Sequence, residues 1–402
     1  MDSSTPKYSW SPPLWYFALV SAVSVMGITM LSPALPLIKQ QFNATDDAVQ
    51  LLITGYLIAI SLGQLYFGRL SDQVGRRPVM MVGALLYTLG GAGGYLANSV
   101  DWVTGFRVVQ GIGAAACFSM ARAIINDCFK RSEAARYMSL VQTIMAVIPA
   151  LSLAFGGIVV TYMGWRGTML IMSLAGLLSL VSSLYLLRET LVDRSLVHSH
   201  TIWQAYRVVL GNRIFLGFAM TTAMQSGMFF SLTGLLPYQY SNLGFTSMEF
   251  GLGFSLTPVC YVIGNALNRY YFLNLGLERA SLLGCSINLV AVIGFFAANA
   301  MGMTHILSLI IPGCLFGFSN GLIVANTSVG AVAASGRHAG TGAGIAGALQ
   351  MGVGGVAGSV LVAAGGAQDF MIAAVGLVGM SSLSLASMFY VNRNKDECFR
   401  QA

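Results

Sequence analysis

One arginine stands inside an otherwise uncharged, apolar stretch of this sequence. Arg107 lies in the segment 106–116 (FRVVQGIGAAA), and Gln110 follows it one helical turn later. A guanidinium in apolar surroundings is costly unless it is paired or hydrogen-bonded. Its planar fork can bind a carboxylate through two hydrogen bonds. Arg107 is therefore the first candidate for binding a charged ligand, and the alternative is a role in hydrogen bonding between helices.

A second cluster has the sequence GRLSDQVGRRP and begins at Gly68. Asp72 can accept hydrogen bonds from a helix N-terminus or from an arginine, and Gly75 permits a tight turn. Gly68 allows two helices to approach closely, while Arg76 and Arg77 add charge at the interface. We predict that these residues form a conformational latch, which is made in one state and released in the next. The alternative is a basic loop that only stops membrane insertion.

The elements that carry these residues follow from the composition. Of 402 residues, 56% are hydrophobic and 9% are charged, whereas about 25% are charged in a soluble globular chain. A helix that crosses a membrane needs about 20 apolar residues, and the chain has twelve such runs, with Arg107 the only charge inside them. Secreted enzymes, soluble nucleotide-binding folds and nucleic-acid-binding proteins are thereby excluded. The predicted spans are approximately 15–37, 49–68, 78–100, 102–121, 137–163, 168–187, 214–236, 250–268, 280–299, 305–327, 339–364 and 370–391.

The basic residues predict the orientation of these spans. Eighteen of the 21 Lys and Arg residues fall in segments on one side, whereas only Lys39 and Arg166 fall on the other. Because basic residues collect in cytoplasmic segments, we expect both termini in the cytoplasm. The predicted fold class is an all-α integral membrane protein with two six-helix halves. Its predicted parts are a cytoplasmic tail 1–14, a first half 15–187, a cytoplasmic linker 188–213, a second half 214–391 and a cytoplasmic tail 392–402.

Uncharged polar and sulfur-containing side chains within the spans indicate a cavity between the halves. None of the fourteen Asp and Glu residues is placed at mid-membrane, where proton relays use Asp, Glu or His. We therefore expect a cavity that is mostly apolar and positively charged, although any single amide could instead join two helices. The residues predicted to bind a ligand are Arg107, Gln110, Thr29, Met26, Tyr56, Gln142, Gln225 and Asn320.

Little in the sequence points to a cofactor or to a macromolecular partner. The six cysteines have no paired spacing, so we expect neither a disulfide framework nor a metal site. The net charge of +7 is typical of basic cytoplasmic loops, and no nucleic-acid partner is expected. The predicted surroundings are the lipid bilayer, and we expect a monomer without a cofactor.

These motifs resemble those of a known family. The segment that begins at Gly68 is similar to the signature loop of the major facilitator superfamily. The segment with Arg107, Gln110, Gly111 and Gly113 resembles the fourth-helix motif of its twelve-helix drug:proton antiporters. Further matches, typical of the bicyclomycin and chloramphenicol exporters, are SPALP at 32–36, the glycine pair 156–157 and RET at 188–190. The resemblance implies a major facilitator fold in a bacterial inner membrane and energy from the proton gradient.

Two positions depart from the pattern of that branch. Thr29 stands in the first helix where the branch usually carries an acid, which is a candidate proton carrier. Ser152 and Leu153 stand near the place where a Gly-Pro pair is usual in the fifth helix. The proton coupling that the resemblance implies therefore lacks its usual carrier in this chain.

Together these observations predict a secondary transporter that exports small organic molecules by alternating access, coupled to protons. The lone Arg107 without an embedded acid favours neutral or anionic substrates. Alternatives are a dedicated exporter of an endogenous anionic metabolite, such as a polycarboxylate siderophore, and an uptake carrier of the same fold. A membrane-embedded enzyme would need His, Asp or Glu clustered at one depth. A non-transporting receptor would tolerate the loss of Arg107 and of the loop motif.

Overall fold

A computed structural model of the chain describes residues 12–129, 131–191, 202–272, 275–336 and 339–398. All regular elements among these residues are helical. Residues 1–11, 192–201 and 399–402, which belong to the predicted tails and linker, lie outside the described residues. The elements in chain order are α1 (Leu14–Thr29), a 3-10 turn (Ser32–Ala34), α2 (Leu35–Phe42), α3 (Asp46–Val74), α4 (Arg76–Leu96), α5 (Val100–Cys128), α6 (Arg131–Leu186), α7 (Ile202–Gly211), α8 (Arg213–Asn242), α9 (Ser247–Leu267), a π turn (Asn268–Phe272), α10 (Leu277–Ala300), α11 (Leu307–Ala334), α12 (Ala339–Ala363) and α13 (Phe370–Cys398).

Twelve segments of membrane-spanning length are found among the described residues. Ten helices are long and apolar enough to cross a membrane. One of them, Thr143–Leu186, contains two segments, because Gly164 breaks the helix with φ 69° and ψ −178°. α8, with 30 residues, is not among the ten, since its buried Thr, Ser and Gln side chains lower its mean hydropathy. When α6 is divided and α8 is included, the described part of the chain contains the predicted number of spans.

Polar side chains determine where several helices begin. The hydroxyl groups of Thr45 and Ser99 accept hydrogen bonds from backbone N–H groups at the starts of α3 and α5. Asn212 does the same for α8. Thr246 and Glu249 form a reciprocal capping box at the start of α9. Such caps satisfy N–H groups that have no partner within the helix, so that each short loop ends at a defined residue.

The alternating direction of the helices divides the bundle into two sides. We call the side that carries segment 68–78, between α3 and α4, the motif side, and the other the opposite side. Within the first half α4 and α3 pack against α5, and within the second half α8 packs against α12 and α13. Across the halves α3 packs against α12, and α6 against α9. α7 lies within the predicted linker 188–213.

Hydrogen bonds join α3 of the first half to α12 of the second. Thr54 Oγ1 lies 2.6 Å from Ser359 Oγ, and Ser61 Oγ donates to the carbonyl oxygen of Ala348 at 2.8 Å. α3 begins on the opposite side at Asp46, so these contacts lie between the opposite side and the middle of the bundle. The two helices are therefore held together along that part of their length.

A buried carboxylate adds a further contact between the halves near the opposite side. Asp46 is 6% exposed, pairs with Lys39 Nζ at 2.6 Å and accepts a hydrogen bond from Gln368 Nε2 at 2.6 Å. Lys39 Nζ also lies 5.7 Å from the ring centroid of Tyr238. Lys39 and Asp46 belong to the first half and Gln368 and Tyr238 to the second, so this cluster closes the opposite side.

Glycines bring the backbones of α6 and α9 together across the halves. A Cβ atom added at Gly157 would lie 2.7 Å from the carbonyl oxygen of Ser247, and one added at Gly251 would lie 2.6 Å from that of Leu153. Both distances are shorter than side chains tolerate against backbone atoms. The close approach of α6 to α9 therefore depends on these two glycines.

Candidate functional site

A cavity of about 360 Å³ lies between the two halves, on the motif side of the contacts that close the opposite side. Eight helices line it: α1, α3, α5 and α6 from the first half, and α8, α9, α11 and α12 from the second. The lining extends from Thr29, the last residue of α1, to Val332 and Ala343 near the motif-side ends of α11 and α12. This volume suits a small organic molecule.

Three of the predicted binding residues line this cavity: Thr29, Gln225 and Asn320. Thr29 Oγ1 lies 2.5 Å from Ser152 Oγ, so that the Thr29 side chain is hydrogen-bonded within the first half. Gln225 Nε2 donates to Ser384 Oγ at 2.9 Å. Gln225 Oε1 has no hydrogen-bond partner among the described residues. Gln225 is thus fixed in orientation and retains an acceptor.

Arg107 does not line the cavity in this conformation. Its side chain is 1% exposed, and its Nε donates to the carbonyl oxygen of Leu52 at 3.2 Å. One terminal nitrogen donates to the carbonyl oxygen of Gly27 and the other to Gln110 Oε1, both at 2.5 Å. The guanidinium lies 4.0 Å from the ring centroid of Tyr56. Arg107 therefore joins α5 to α1 and α3 without an acid, as in the helix-joining alternative, and its role as a ligand-binding residue stays a prediction.

The surroundings of Arg107 depend on a close approach between α1 and α3. The Tyr56 hydroxyl donates to the carbonyl oxygen of Ser24 at 2.9 Å, and a Cβ atom added at Gly27 would overlap that hydroxyl.

The other predicted ligand residues, Met26 and Gln142, are found neither beside Arg107 nor in the described cavity lining. Met26 is partly buried against the apolar core, and the side chain of Gln142 lies outside the described residues.

Arg122, which was predicted to lie in a cytoplasmic segment, lines the cavity. α5 continues to Cys128 instead of ending at 121, so Arg122 belongs to the helix and not to a cytoplasmic loop. Ala114, Phe118 and Arg122 recur every four residues on one helix face, and all three line the cavity. Arg122 is the one charged side chain of the described lining. The four-residue spacing of Ala114, Phe118 and Arg122 is visible in the sequence. It would have indicated that Arg122 faces the cavity if α5 had been predicted to extend past residue 121.

The segment predicted to be a latch, 68–78, is tied to its own half in this conformation. Arg76 pairs with Asp72 Oδ1 at 2.6 Å and, through Nε, with Asp127 Oδ2 on α5 at 3.1 Å. No hydrogen bond or ion pair joins the segment to described residues of the second half. A Cβ atom added at Gly68 would meet nothing within 4 Å, so the close approach expected there is not made. The latch role of this segment therefore stays a prediction.

A carboxylate from a distant part of the chain caps the helix that follows this segment. Gly75 separates α3 from α4 with φ 108°, a conformation that favours glycine. The backbone N–H groups of Arg76 and Arg77 donate to the Glu189 carboxylate at 2.8 and 3.3 Å. An anion at a helix N-terminus is favourable. The role of Glu189 was not predicted, because Glu189 lies more than a hundred residues beyond Arg76 and Arg77 in the sequence.

Known proteins are similar to this chain in sequence and in fold. A sequence model of the family described as the Major Facilitator Superfamily matches residues 17–359. The chloramphenicol resistance protein of Pseudomonas aeruginosa is 30% identical over 189 residues, which cover 47% of this chain and 45% of that protein. The uncharacterized MFS-type transporter YdgK of Bacillus subtilis (strain 168) is 25% identical over 346 residues, which cover 84% of this chain and 85% of that one.

A solved structure has the same overall fold. It is described as a bacterial homolog of the human lysosomal transporter Spinster, in an inward-facing and unoccupied conformation. The two share 14% sequence identity with a TM-score of 0.76, over 96% of this chain and 97% of that chain. This likeness concerns the fold alone. Among the sequence relatives, the match with the chloramphenicol resistance protein spans less than half of that protein's length.

Proposed function

The chain belongs to the major facilitator superfamily and is a membrane transporter, and from this premise we propose that it exports small organic molecules, neutral or anionic, by alternating access. The resemblance to the chloramphenicol-related branch of this family is confirmed by the similarity to the chloramphenicol resistance protein of Pseudomonas aeruginosa. The observation that carries the proposal is the cavity, which both halves line and which the contacts on the opposite side close off.

The distribution of basic residues indicates which side of the membrane the cavity faces. It favours a cytoplasmic motif side in a bacterial inner membrane, with both termini in the cytoplasm. The cavity lies toward that side, where an exporter loads its substrate. An uptake carrier is the second candidate, because alternating access is reversible and the same two conformations serve both directions.

The charge of the cavity supports neutral or anionic substrates. Arg122 is the charged side chain of the described lining, so a lipophilic cation would meet a like charge and no carboxylate. An endogenous anionic metabolite, such as a polycarboxylate siderophore, is a narrower candidate. Coupling to protons is part of the proposal, and it rests on the resemblance to antiporters because no described carboxylate lines the cavity.

Flux measurements on the purified, reconstituted protein test this proposal. Proteoliposomes with an acidic lumen are expected to accumulate radiolabelled chloramphenicol or 2-naphthoate, and a protonophore is expected to abolish the accumulation. Liposomes without protein are the control. If neither compound crosses under any gradient, the proposal for these substrate classes is wrong. If flux ignores the pH gradient, transport stands and proton coupling is wrong.

Replacing Asp72 with Asn is expected to slow turnover and to leave substrate affinity unchanged. Asp72 is outside the cavity lining, and its side chain is 46% exposed beside Arg76, so this ion pair adds little stability here. Loss of a latch contact in the other conformation is expected to lower the exchange rate about tenfold, equivalent to about 1.4 kcal/mol. Exchange rates and equilibrium binding are measured in parallel, with the exposed carboxylate variant Asp47→Asn as control. Weak binding with normal turnover would contradict the latch role.

A further inference from the structure

The side chain of Arg122 points into the cavity and away from the membrane surface. α5 runs from the opposite side toward the motif side, and helical side chains lean toward the N-terminus of their helix. The guanidinium lies 4.2 Å from the ring centroid of Phe118, one turn deeper. Its Cα lies about 9 Å from the motif-side end of α5, at 1.5 Å per residue. The charged group is thus directed toward the interior of the site.

Arg122 keeps its hydrogen-bonding groups available. A guanidinium has five N–H donors, and Arg122 makes no hydrogen bond or ion pair with any described residue, although it is half-buried. Arg107 on the same helix differs, because two carbonyl oxygens and Gln110 accept its hydrogen bonds. No described carboxylate lines the cavity. The structure therefore presents an uncompensated cation to whatever enters from the motif side.

The remainder of the lining suits an apolar body. Aromatic and thioether side chains, which adapt to varied apolar shapes, come from both halves, and they include Met145, Phe229, Phe230 and Met351. A single guanidinium matches a single carboxylate in charge and in its two parallel hydrogen bonds. A polycarboxylate would bring more negative charge into the site than Arg122 can neutralise.

We propose that Arg122 binds the carboxylate of a singly charged organic acid with an apolar, aromatic-sized body. Phe118 holds the guanidinium in position by stacking against it. The inference rests on the proposed function, since it names the substrate class of the same cavity. It assigns the anion-binding role to Arg122 and not to Arg107 in the conformation that loads from the motif side.

Equilibrium binding to the purified full-length protein in lipid nanodiscs tests this assignment. Radiolabelled 2-naphthoate, 2-naphthamide and 2-naphthylmethylammonium share one apolar body and differ in charge. The wild type is expected to bind the carboxylate about 10- to 100-fold more tightly than the amide, the range for hydrogen bonds to charged groups, and the ammonium most weakly. In Arg122→Gln the carboxylate and amide are expected to bind alike. Arg122→Lys is expected to keep part of the preference, because it retains charge without the fork.

The control variant is Arg393→Gln, which removes the same charge from an exposed position on α13 and is expected to keep the wild-type preference. Amide binding by Arg122→Gln shows that its site is still folded. A carboxylate preference that persists in Arg122→Gln, equal binding of carboxylate and amide by the wild type, or no binding of any probe would each overturn the assignment. If only the transport proposal is wrong, the wild type still prefers the carboxylate and Arg122→Gln still loses that preference, but proteoliposomes show no flux. If only the Arg122 assignment is wrong, proteoliposomes show flux but the carboxylate preference does not depend on Arg122.

Discussion

Replacing Arg107 with Ala is expected to abolish transport and to destabilise the protein. The substitution removes the donors that hold the carbonyl oxygens of Gly27 and Leu52, and it leaves Gln110 without its partner. A buried acceptor left without a donor, as Gln110 Oε1 would be, costs about 1–3 kcal/mol. Because these bonds join α5 to α1 and α3, their loss is expected to lower the unfolding temperature and to change the first half, which lines one side of the cavity.

Arg107→Lys is not expected to restore transport fully. A lysine ammonium is a point charge that cannot reach three acceptors in one plane or stack on Tyr56 as a guanidinium does. Flux in proteoliposomes, thermal unfolding and binding of 2-naphthamide are measured together, with Arg393→Ala as a control for loss of an exposed arginine. Unchanged transport by purified Arg107→Ala would remove this residue from the mechanism. Normal unfolding combined with lost ligand binding would favour the ligand-binding role over the helix-joining role.

Adding a methyl group at Gly157 is expected to slow transport while the protein remains folded. The new Cβ atom would lie 2.7 Å from the carbonyl oxygen of Ser247 and 3.1 Å from the Cα atom of Gly251. These are backbone atoms and cannot turn aside as a flexible side chain can, so α6 and α9 must separate. The two helices belong to different halves, and their separation opposes closure of the opposite side.

The expected cost is about 1–3 kcal/mol, the range for overpacking a close contact. Such a cost shifts the equilibrium between the two conformations about 5- to 150-fold. Spin labels at exposed Tyr162 and Met301, in a variant whose native cysteines are replaced by serine, would report the distance between the halves on the opposite side. We expect a longer distance in Gly157→Ala, and a larger effect in Gly157→Val.

The matched control for Gly157 is Gly105→Ala. An added Cβ atom at Gly105 on α5 meets nothing within 4 Å, so the substitution changes residue type and helix propensity without a steric conflict. It is expected to transport like the wild type. If Gly157→Ala shows wild-type distances and flux, the close contact of α6 with α9 does not limit closure of the opposite side, and the role proposed for this contact is wrong.

The two arginines of α5 show how position decides chemistry. Arg107 and Arg122 lie on one helix face, about 22 Å apart at 1.5 Å per residue. Arg107 meets carbonyl oxygens at the level where the halves are closed, whereas Arg122 lies in the cavity wall. The same side-chain type therefore joins helices at one level and faces a ligand site at the other.

The sequence by itself determined the helical membrane fold, because spanning a bilayer requires about 20 apolar residues in each segment. The hydropathy of such a segment depends only on residues that are neighbours in the sequence. The sequence also identified Gly75 as a turn and Arg107 as a buried residue that needs acceptors. The break at Gly164 falls between two predicted spans for the same local reason, since glycine permits the positive φ that ends the first segment of α6.

Only the tertiary structure decided which polar groups meet. The predicted end of α5 at 121 followed from the first charge after an apolar run, whereas the helix continues to Cys128 and carries Arg122 into the cavity wall. Glu189 reaches the start of α4, and Gln368 reaches Asp46, from far along the chain. Hydropathy sums neighbouring residues, but a cavity depends on the rotation and relative position of helices that are distant in sequence. That geometry arises from packing, which the pattern of residues along one helix does not contain.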